Sequence, residues 1–468
     1  MKKILSSISE NEWQVVALSL ISTLVLLALV AKNSLILGTV TEWSWGKTNV
    51  IFGSGIFWFL ALSILFLVFC YFALNAKIRL KPLIIAGAII FYLSFSLLIF
   101  SLDNHGEGFS YLSRLVRHPG VTSYYNDAEH ITEVTTFLKT YTQNIPSFGM
   151  HSQTHPPGPI LFFYYIKTAA EHILPNFNPA TVAGFAIVLM SSLTILPLYF
   201  FVRLISSEKA AVISILLYSI VPSVVLFTPE FDQVYPLFLM LILLTYLLGM
   251  KSKNYLYFLL SGLILAVSLF FSFLYISVPI MLLILCGALY PLRSSIAPVF
   301  YRLKNFVFSN LILIAGFILP NLIYALLFKS NIYSIYQGTM TFHQKFLATT
   351  TYQTWVFFNL YDFAIFLGVP LALILIFALG KEIFNWINRR GADVAFWLFA
   401  LTILILDLTG KNRGEVARIW IFLVPLAVAA VASYITKSKN PRFLFLFVIA
   451  IVLLQLIVFK KFVLTLGL

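Results

Sequence analysis

Apolar runs of about 20 residues, the length a helix needs to cross a bilayer, recur from one end of this 468-residue chain to the other. They fall at roughly 14–31, 50–75, 80–101, 180–202, 210–227, 231–250, 254–270, 272–291, 306–328, 358–380, 394–409, 416–436 and 442–459. Lipid offers the backbone no hydrogen-bond partner, so each such run is expected to be a helix. The fold class that follows is all-α, a polytopic transmembrane helical bundle of about 13 spans. Composition agrees: hydrophobic residues make up 60% and charged residues 10%, against roughly a quarter charged in a soluble domain, and the mean hydropathy is +0.96. The pattern is not that of a cleavable leader followed by a soluble body. Cys70 and Cys286 both sit inside apolar runs, where a free cysteine behaves as a small hydrophobe, so no disulfide or metal framework is expected.

The net charge of +14 belongs to topology. Lysine and arginine occupy short loops between apolar runs and form no basic face interleaved with aromatics, so nucleic acid is not an expected partner. One alternate set of loops carries Lys2, Lys3, Lys77, Arg79, Lys81, Arg203, Lys209, Lys251, Lys253, Arg293, Arg302, Lys304, Lys381, Arg389, Arg390, Lys437, Lys439 and Arg442. The bias of basic residues toward the cytoplasm assigns these loops to the inside, with the amino terminus inside and the carboxyl terminus outside. The assignment requires that "GPILFFYYIKTAAEHIL" does not cross. Its apolar run, Ile160 to Ile166, is broken by Lys167, Glu171 and His172, which suits a helix lying at the interface.

The chain then divides into residues 1–101, the N-terminal transmembrane helices; 102–179, an extracytoplasmic catalytic loop with amphipathic helices; and 180–468, a transmembrane bundle with outer loops 329–356 and 410–418. Within the large loop Ile131, Val134, Leu138 and Tyr141 recur at helical spacing opposite Glu129, Glu133, Thr136 and Thr140, the pattern of an amphipathic helix. All seven histidines fall on the outside in this topology, as do Asp103, Glu107, Asp127, Glu129, Glu133, Glu171, Glu230, Asp232, Asp362, Asp407 and Glu415 or the span ends that bear them. No carboxylate is expected at mid-bilayer, where an ion-coupled transporter keeps its site.

Four motifs carry candidate chemistry, each beside a plainer reading. In "NDAE", Asp127 and Glu129 are candidate acids or bases; Asn126 at the N-cap with Glu129 three positions on is equally a capping-box variant. "HPPGP" holds His155, Pro156 and Pro157 and is also an ordinary helix-entry turn. His151 and His155 on that flexible composition do not enforce a metal-binding face, and no metal ligand set is assigned. "TPEFDQVYP" puts Glu230 and Asp232 in a tight turn that is either a contact surface or merely solvated. "GKNRGEVARIW" gathers Lys411, Arg413 and Arg418 around Glu415, as an anion site or as headgroup anchors.

Taken together, "NDAE" followed about 25 residues later by "THPPGPILFFYY" resembles the first outer loop of the glycosyltransferase C superfamily. The resemblance is to its family 39-like branch of protein mannosyltransferases and aminoarabinose transferases, with an acidic pair and then a Pro-Pro turn leading into aromatics. "GEVARIW", Gly414 to Trp420, is similar to a late outer-loop pattern of multi-pass bacterial relatives. Here Ala128 separates the two acids and Gly158-Pro159 continues the turn.

The resemblance implies a membrane glycosyltransferase, a hexosyl- or pentosyltransferase working in the cell envelope. It would move a sugar from a polyprenyl-phosphate donor to a glycan, lipid or protein acceptor on the extracytoplasmic side of the plasma membrane. Asp127 is then the expected general base and Glu129 the second candidate. Lys411, Arg413, Arg418 and His155 would hold the donor phosphate. Tyr124, Tyr125, His151, Pro156, Pro157, Glu230, Asp232 and Glu415 would line the substrate cavity. No cofactor is expected from the residues themselves, although this chemistry leaves room for a divalent cation; membrane lipids are partners by necessity. The competing readings are a secondary transporter or lipid or polysaccharide flippase, which should show a repeated half, and a surface-polysaccharide polymerase or ligase.

Overall fold

The computed structural model describes residues 10–75, 80–102, 109–289, 296–388 and 390–466. Of the residues singled out in the sequence, Asp103, His105, Glu107, Lys2, Lys3, Lys77, Arg79, Arg293 and Arg389 lie outside them, as do the side chains of Arg302 and Lys304. The protein is all-α. Regular strand among the described residues is confined to the two-residue pair Gly46–Lys47 and Val463–Leu464, which is antiparallel.

Nine helices among the described residues are long and apolar enough to cross a membrane: Glu12–Ala31, Gly55–Ala73, Lys81–Leu98, Pro179–Ile205, Phe231–Ser252, Asn305–Phe328, Val369–Ile387, Val416–Thr436 and Pro441–Phe462. Three shorter apolar helices, Tyr255–Phe271, Phe273–Leu289 and Val394–Leu408, accompany them. Proline stands in the first turn of several, as Pro82, Pro236, Pro370, Pro425 and Pro441, where its missing N–H costs nothing and its fixed φ is already helical.

Two expected spans are broken. The run 358–380 is cut at Gly368, whose φ of +111° ends the helix Tyr352–Leu367 and starts Val369–Ile387. Hydropathy cannot register that break, because glycine there replaces one apolar residue with another small one while changing the backbone's hand. Gln455 covers the exposed backbone groups: its amide donates to Ile365 O at 2.8 Å and accepts from Val369 N at 2.9 Å. The run 210–227 likewise divides into Glu208–Tyr218 and Pro222–Leu226.

The chain forms two compact units. The first comprises Met1–Tyr111, Val188–Thr228 and Thr350–Gly467. Its core includes the stacked rings of Tyr92 and Tyr218, 5.9 Å apart, with the Tyr92 hydroxyl bonded to Ser191. A non-helical segment after the first span folds back on itself: Thr39 Oγ1 accepts the N–H groups of Glu42 and Trp43 at 3.1 and 3.0 Å, and Gly38 bridges Ser44.

The second unit comprises Leu112–Ile187 and Pro229–Thr349. Its helices Tyr255–Phe271 and Ile296–Phe328 touch through glycine. A Cβ on Gly262 would stand 2.0 Å from Leu313 O, and one on Gly316 would stand 2.3 Å from Leu259 O, the small-residue contact that lets membrane helices approach. The expected amphipathic helix is Val134–Asn144, burying Phe137, Leu138 and Tyr141. Within the segment expected as outer loop 329–356 lies a second amphipathic helix, Ile332–Leu347, capped by Asn331, which accepts from Ser334 N at 2.8 Å.

Candidate functional site

In the second unit the "NDAE" residues form the helix Tyr124–Glu129. The N-cap is Ser123, not Asn126, and no capping box forms. Asn126 lies inside the helix and donates from Nδ2 to Arg117 O at 3.0 Å. Ser123 has other uses for its hydroxyl: Oγ accepts the N–H groups of His151 and Ser152, both at 3.1 Å. These bonds fasten the 149–152 turn across the start of the helix.

Asp127 completes the same junction. Its carboxylate oxygens lie 3.2 and 3.1 Å from the Gly149 nitrogen, whose N–H they accept. Burial pushes the carboxyl above the ordinary aspartate range, while the Ser152 hydroxyl and the Gly149 N–H pull the other way. Gly149 is required by space: a Cβ there would sit 2.3 Å from the Ser123 Cβ. The result is a half-buried carboxylate on a short helix, oriented by a turn 22 residues away in sequence.

Glu129 has a different setting. It is exposed and pairs with Arg117 at 3.0 Å. The Arg117 guanidinium also lies 4.9 Å from the centre of the Tyr125 ring. Arg117 thus touches Tyr125, Asn126 and Glu129, and the sequence reading passed over it. Its position in the last turn of the helix Phe109–Arg117, just before "HPG", was the available signal.

His151 and His155 stand on the turn that leads into the helix Gly158–Ile173, with Pro157 as its N-cap and Pro159 in the first turn. His155 Nδ1 is 2.8 Å from His151 O, and Tyr141 donates its hydroxyl to His155 O at 2.9 Å. The Tyr124 ring meets the His155 ring edge-on at 5.4 Å. Pro156 and Pro157 are buried. Gly158 permits close packing, since a Cβ would stand 2.4 Å from Phe270 O.

Glu230 and Asp232 flank Phe231 in the same unit. Glu230 is only 3% exposed. The Phe231 ring lies 6.2 Å from that of Tyr124 and 5.0 Å from that of Phe162. One aromatic cluster therefore joins the acidic turn to both the Asp127 helix and the "HPPGP" helix.

Lys411, Arg413, Glu415 and Arg418 belong to the first unit. Gly410, Gly414 and Glu415 have φ of 59°, 85° and 54°, so three left-handed residues bend the loop sharply. Arg413 donates to Thr350 O at 2.8 Å and to Gly410 O at 3.1 Å. Arg418 pairs with Glu415 at 2.8 Å, and Lys411 is exposed.

Buried groups hold this loop. Asp362 accepts the Ala417 N–H at 2.9 Å and the Trp45 indole N–H at 2.6 Å. Asn359 donates to Asp407 at 3.0 Å and to Asn412 O at 2.9 Å, and accepts from Gly414 N at 3.3 Å. Glu42 accepts Thr351 N at 3.0 Å and the Trp355 indole at 2.6 Å. Those hydrogen bonds, led by Thr351, hold the Glu42 carboxyl below its ordinary value. Among the described residues no group of three or more His, Cys, Asp or Glu is arranged to hold a metal ion, so a divalent cation has no assigned ligands here.

No protein-family model and no curated protein matches the chain. Solved structures of the Archaeoglobus fulgidus oligosaccharyltransferase are similar to it in fold. The form tethered to an acceptor peptide containing the NVT sequon has 14% identity and a TM-score of 0.45, covering 77% of this chain and 50% of that one. The form in complex with Zn and sulfate has 16% identity and a TM-score of 0.47, with 81% and 52% covered. The form with an inhibitory peptide and a dolichol-phosphate has 14% identity and a TM-score of 0.41, with 75% and 50% covered. The chain spans about half the length of these structures.

Proposed function

We propose that this multi-pass membrane protein is a glycosyltransferase of the glycosyltransferase C type. It transfers a sugar from a polyprenyl-phosphate-linked donor to a glycan, lipid or protein acceptor at the extracytoplasmic face of the plasma membrane. The observation that carries this reading is the Asp127 carboxylate, half-buried, raised in pKa by that burial, and oriented by Gly149. A general base must be fixed in direction and basic enough to take a proton. In an inverting transfer Asp127 would accept the proton of the acceptor hydroxyl as that oxygen attacks the anomeric carbon. The glycosidic bond to phosphate breaks, and the lipid phosphate leaves with the electron pair.

The departing phosphate needs cationic donors. Lys411, Arg413 and Arg418 are proposed for that role, on a loop made rigid by Asn359 and Asp362. His155, whose Nδ1 is engaged by the His151 carbonyl, is proposed as a further phosphate or hydroxyl contact. Glu129 is less suited to act as the base, since its exposed carboxylate is committed to an ion pair with Arg117 at 3.0 Å. Glu230, Asp232, Tyr124 and Tyr125 are proposed to line the acceptor region.

The bonds of Asp127 also support a second reading, in which it merely tethers the 149–152 turn. Transfer from a polyprenyl-phosphate-linked sugar, measured alongside thermal stability for Asp127→Asn, separates the two. A base variant loses turnover and keeps stability, whereas a tether variant loses stability in step with turnover.

A further inference from the structure

The first unit holds a carboxylate that lies in none of the four motifs, Glu42, in the non-helical segment after the first span. The fold pins it. Thr39 Oγ1 accepts the Glu42 and Trp43 N–H groups, Thr39 N donates to Trp43 O at 2.7 Å, and Trp45 N donates to Leu37 O at 2.8 Å. The Trp45 indole is held in turn by Asp362. A half-buried carboxylate thus stands on a short, closed loop.

Glu42 and Arg413 share one peptide group. The Thr351 N–H donates to Glu42 Oε2 at 3.0 Å, while the carbonyl of that same peptide, Thr350 O, accepts from Arg413 Nη1 at 2.8 Å. In a trans peptide the N–H and C=O point in opposite directions, so the two side chains meet across a single amide. Holding the N–H fixes the rotation of that amide plane and with it the direction of the carbonyl. A second bond from Arg413, Nε to Gly410 O at 3.1 Å, completes the hold on the guanidinium plane. Indoles close the assembly. Trp355, fully buried, donates to Glu42 Oε2 at 2.6 Å, and a Cβ on Gly414 would stand 3.4 Å from Trp355 and 3.7 Å from Trp43.

We propose that Glu42 is a positioning residue for donor-phosphate recognition: by holding the Thr350–Thr351 peptide it aims the Thr350 carbonyl, and so sets the guanidinium of Arg413. This role rests on the one proposed above for Arg413. Glu42 acts through bond direction and not through charge, because a carboxylate near a phosphate site repels the ligand it serves. Both of its bonds end on one oxygen, Oε2. A glutamine carbonyl can therefore replace it, whereas aspartate, one methylene shorter on a pinned loop, keeps the charge and loses the reach.

Binding of undecaprenyl phosphate to the purified full chain in nanodiscs, measured beside thermal unfolding, tests it. Glu42→Asp should weaken binding about tenfold, the scale of one charge-assisted hydrogen bond, and Glu42→Gln should rescue it to near the wild-type value. In an Arg413→Ala background, already weakened, Glu42→Asp should change binding no further, because the two residues act as one unit. Wild-type affinity in Glu42→Asp overturns the role. So does equal weakening by Glu42→Gln, or an additive loss in the double variant of the kind general destabilisation gives. If Arg413→Ala itself binds like wild type, the roles of Arg413 and Glu42 fall together; if Arg413→Ala weakens binding and Glu42→Asp does not, Glu42 alone is excluded.

Discussion

The Gly149 N–H points at both carboxylate oxygens of Asp127, at 3.2 and 3.1 Å. This relationship fixes the direction of the proposed base and ties the "NDAE" helix to the turn that precedes "HPPGP". It makes Gly149 testable. Gly149→Ala would drive a Cβ into Ser123, so the turn must shift, at a cost of about 1 to 3 kcal/mol typical of overpacking. Thermal unfolding should register that loss, and transfer should fall with it because Asp127 loses its guide. Unaltered stability and turnover would mean that the turn does not set the carboxylate.

Acid pH gives a second handle on the same group. Burial raises the Asp127 carboxyl, and the base must be ionised to work. The rate should therefore fall on the acid side through a pKa above about 3.9, the ordinary aspartate value. For stability the sign is opposite: the contribution of Asp127 is fully present below the unfolded pKa and is lost as pH rises through the folded one. An acid limb at or below the ordinary aspartate value contradicts the assignment.

The loop of Arg413 and Arg418 depends on a carboxylate far from it in sequence. Asp362→Ala removes the acceptor of both the Ala417 N–H and the Trp45 indole, and each buried donor left unmet costs about 1 to 3 kcal/mol. Asp362→Asn keeps one acceptor oxygen and should cost less. If the loop holds donor phosphate, Asp362→Asn, Arg413→Ala and Arg418→Ala should all weaken donor use in proteins that still insert. Unchanged donor affinity across the three would leave the loop as a headgroup anchor.

Much of the helical framework was legible because lipid imposes one rule, a long apolar run, on almost every span. The breaks were not. Gly368 hides inside apolar sequence, and only the backbone's left-handed turn reveals it. The assignment of Asn126 as N-cap failed for a related reason: a capping box is a local pattern, whereas Asn126 found its partner in the Arg117 carbonyl of the preceding helix. Contacts of very long sequence separation were also out of reach. Trp45 with Asp362 and Glu42 with Trp355 join positions more than 300 residues apart, and no periodicity or spacing encodes them. The candidate motifs themselves, Asp127, His155, Glu230 and Arg413, were visible as polar residues where apolar ones prevail.

Topology can be read directly by labelling. Single cysteines in place of exposed Ser147 and Lys411 should react with an impermeant thiol reagent applied from outside, and one in place of Ser252 should not. Reaction of all three from the same side contradicts the orientation.

The most direct measurement is transfer of sugar from a polyprenyl-phosphate donor by Asp127→Asn. The substitution keeps the size and an oxygen able to accept from Gly149, yet removes the base. The account predicts normal insertion, donor binding and thermal stability, with turnover lower by on the order of 100-fold or more, the scale of general-base loss. Near-normal turnover by this variant would contradict Asp127 as the base, and near-normal turnover by Glu129→Gln as well would contradict glycosyl transfer by this site.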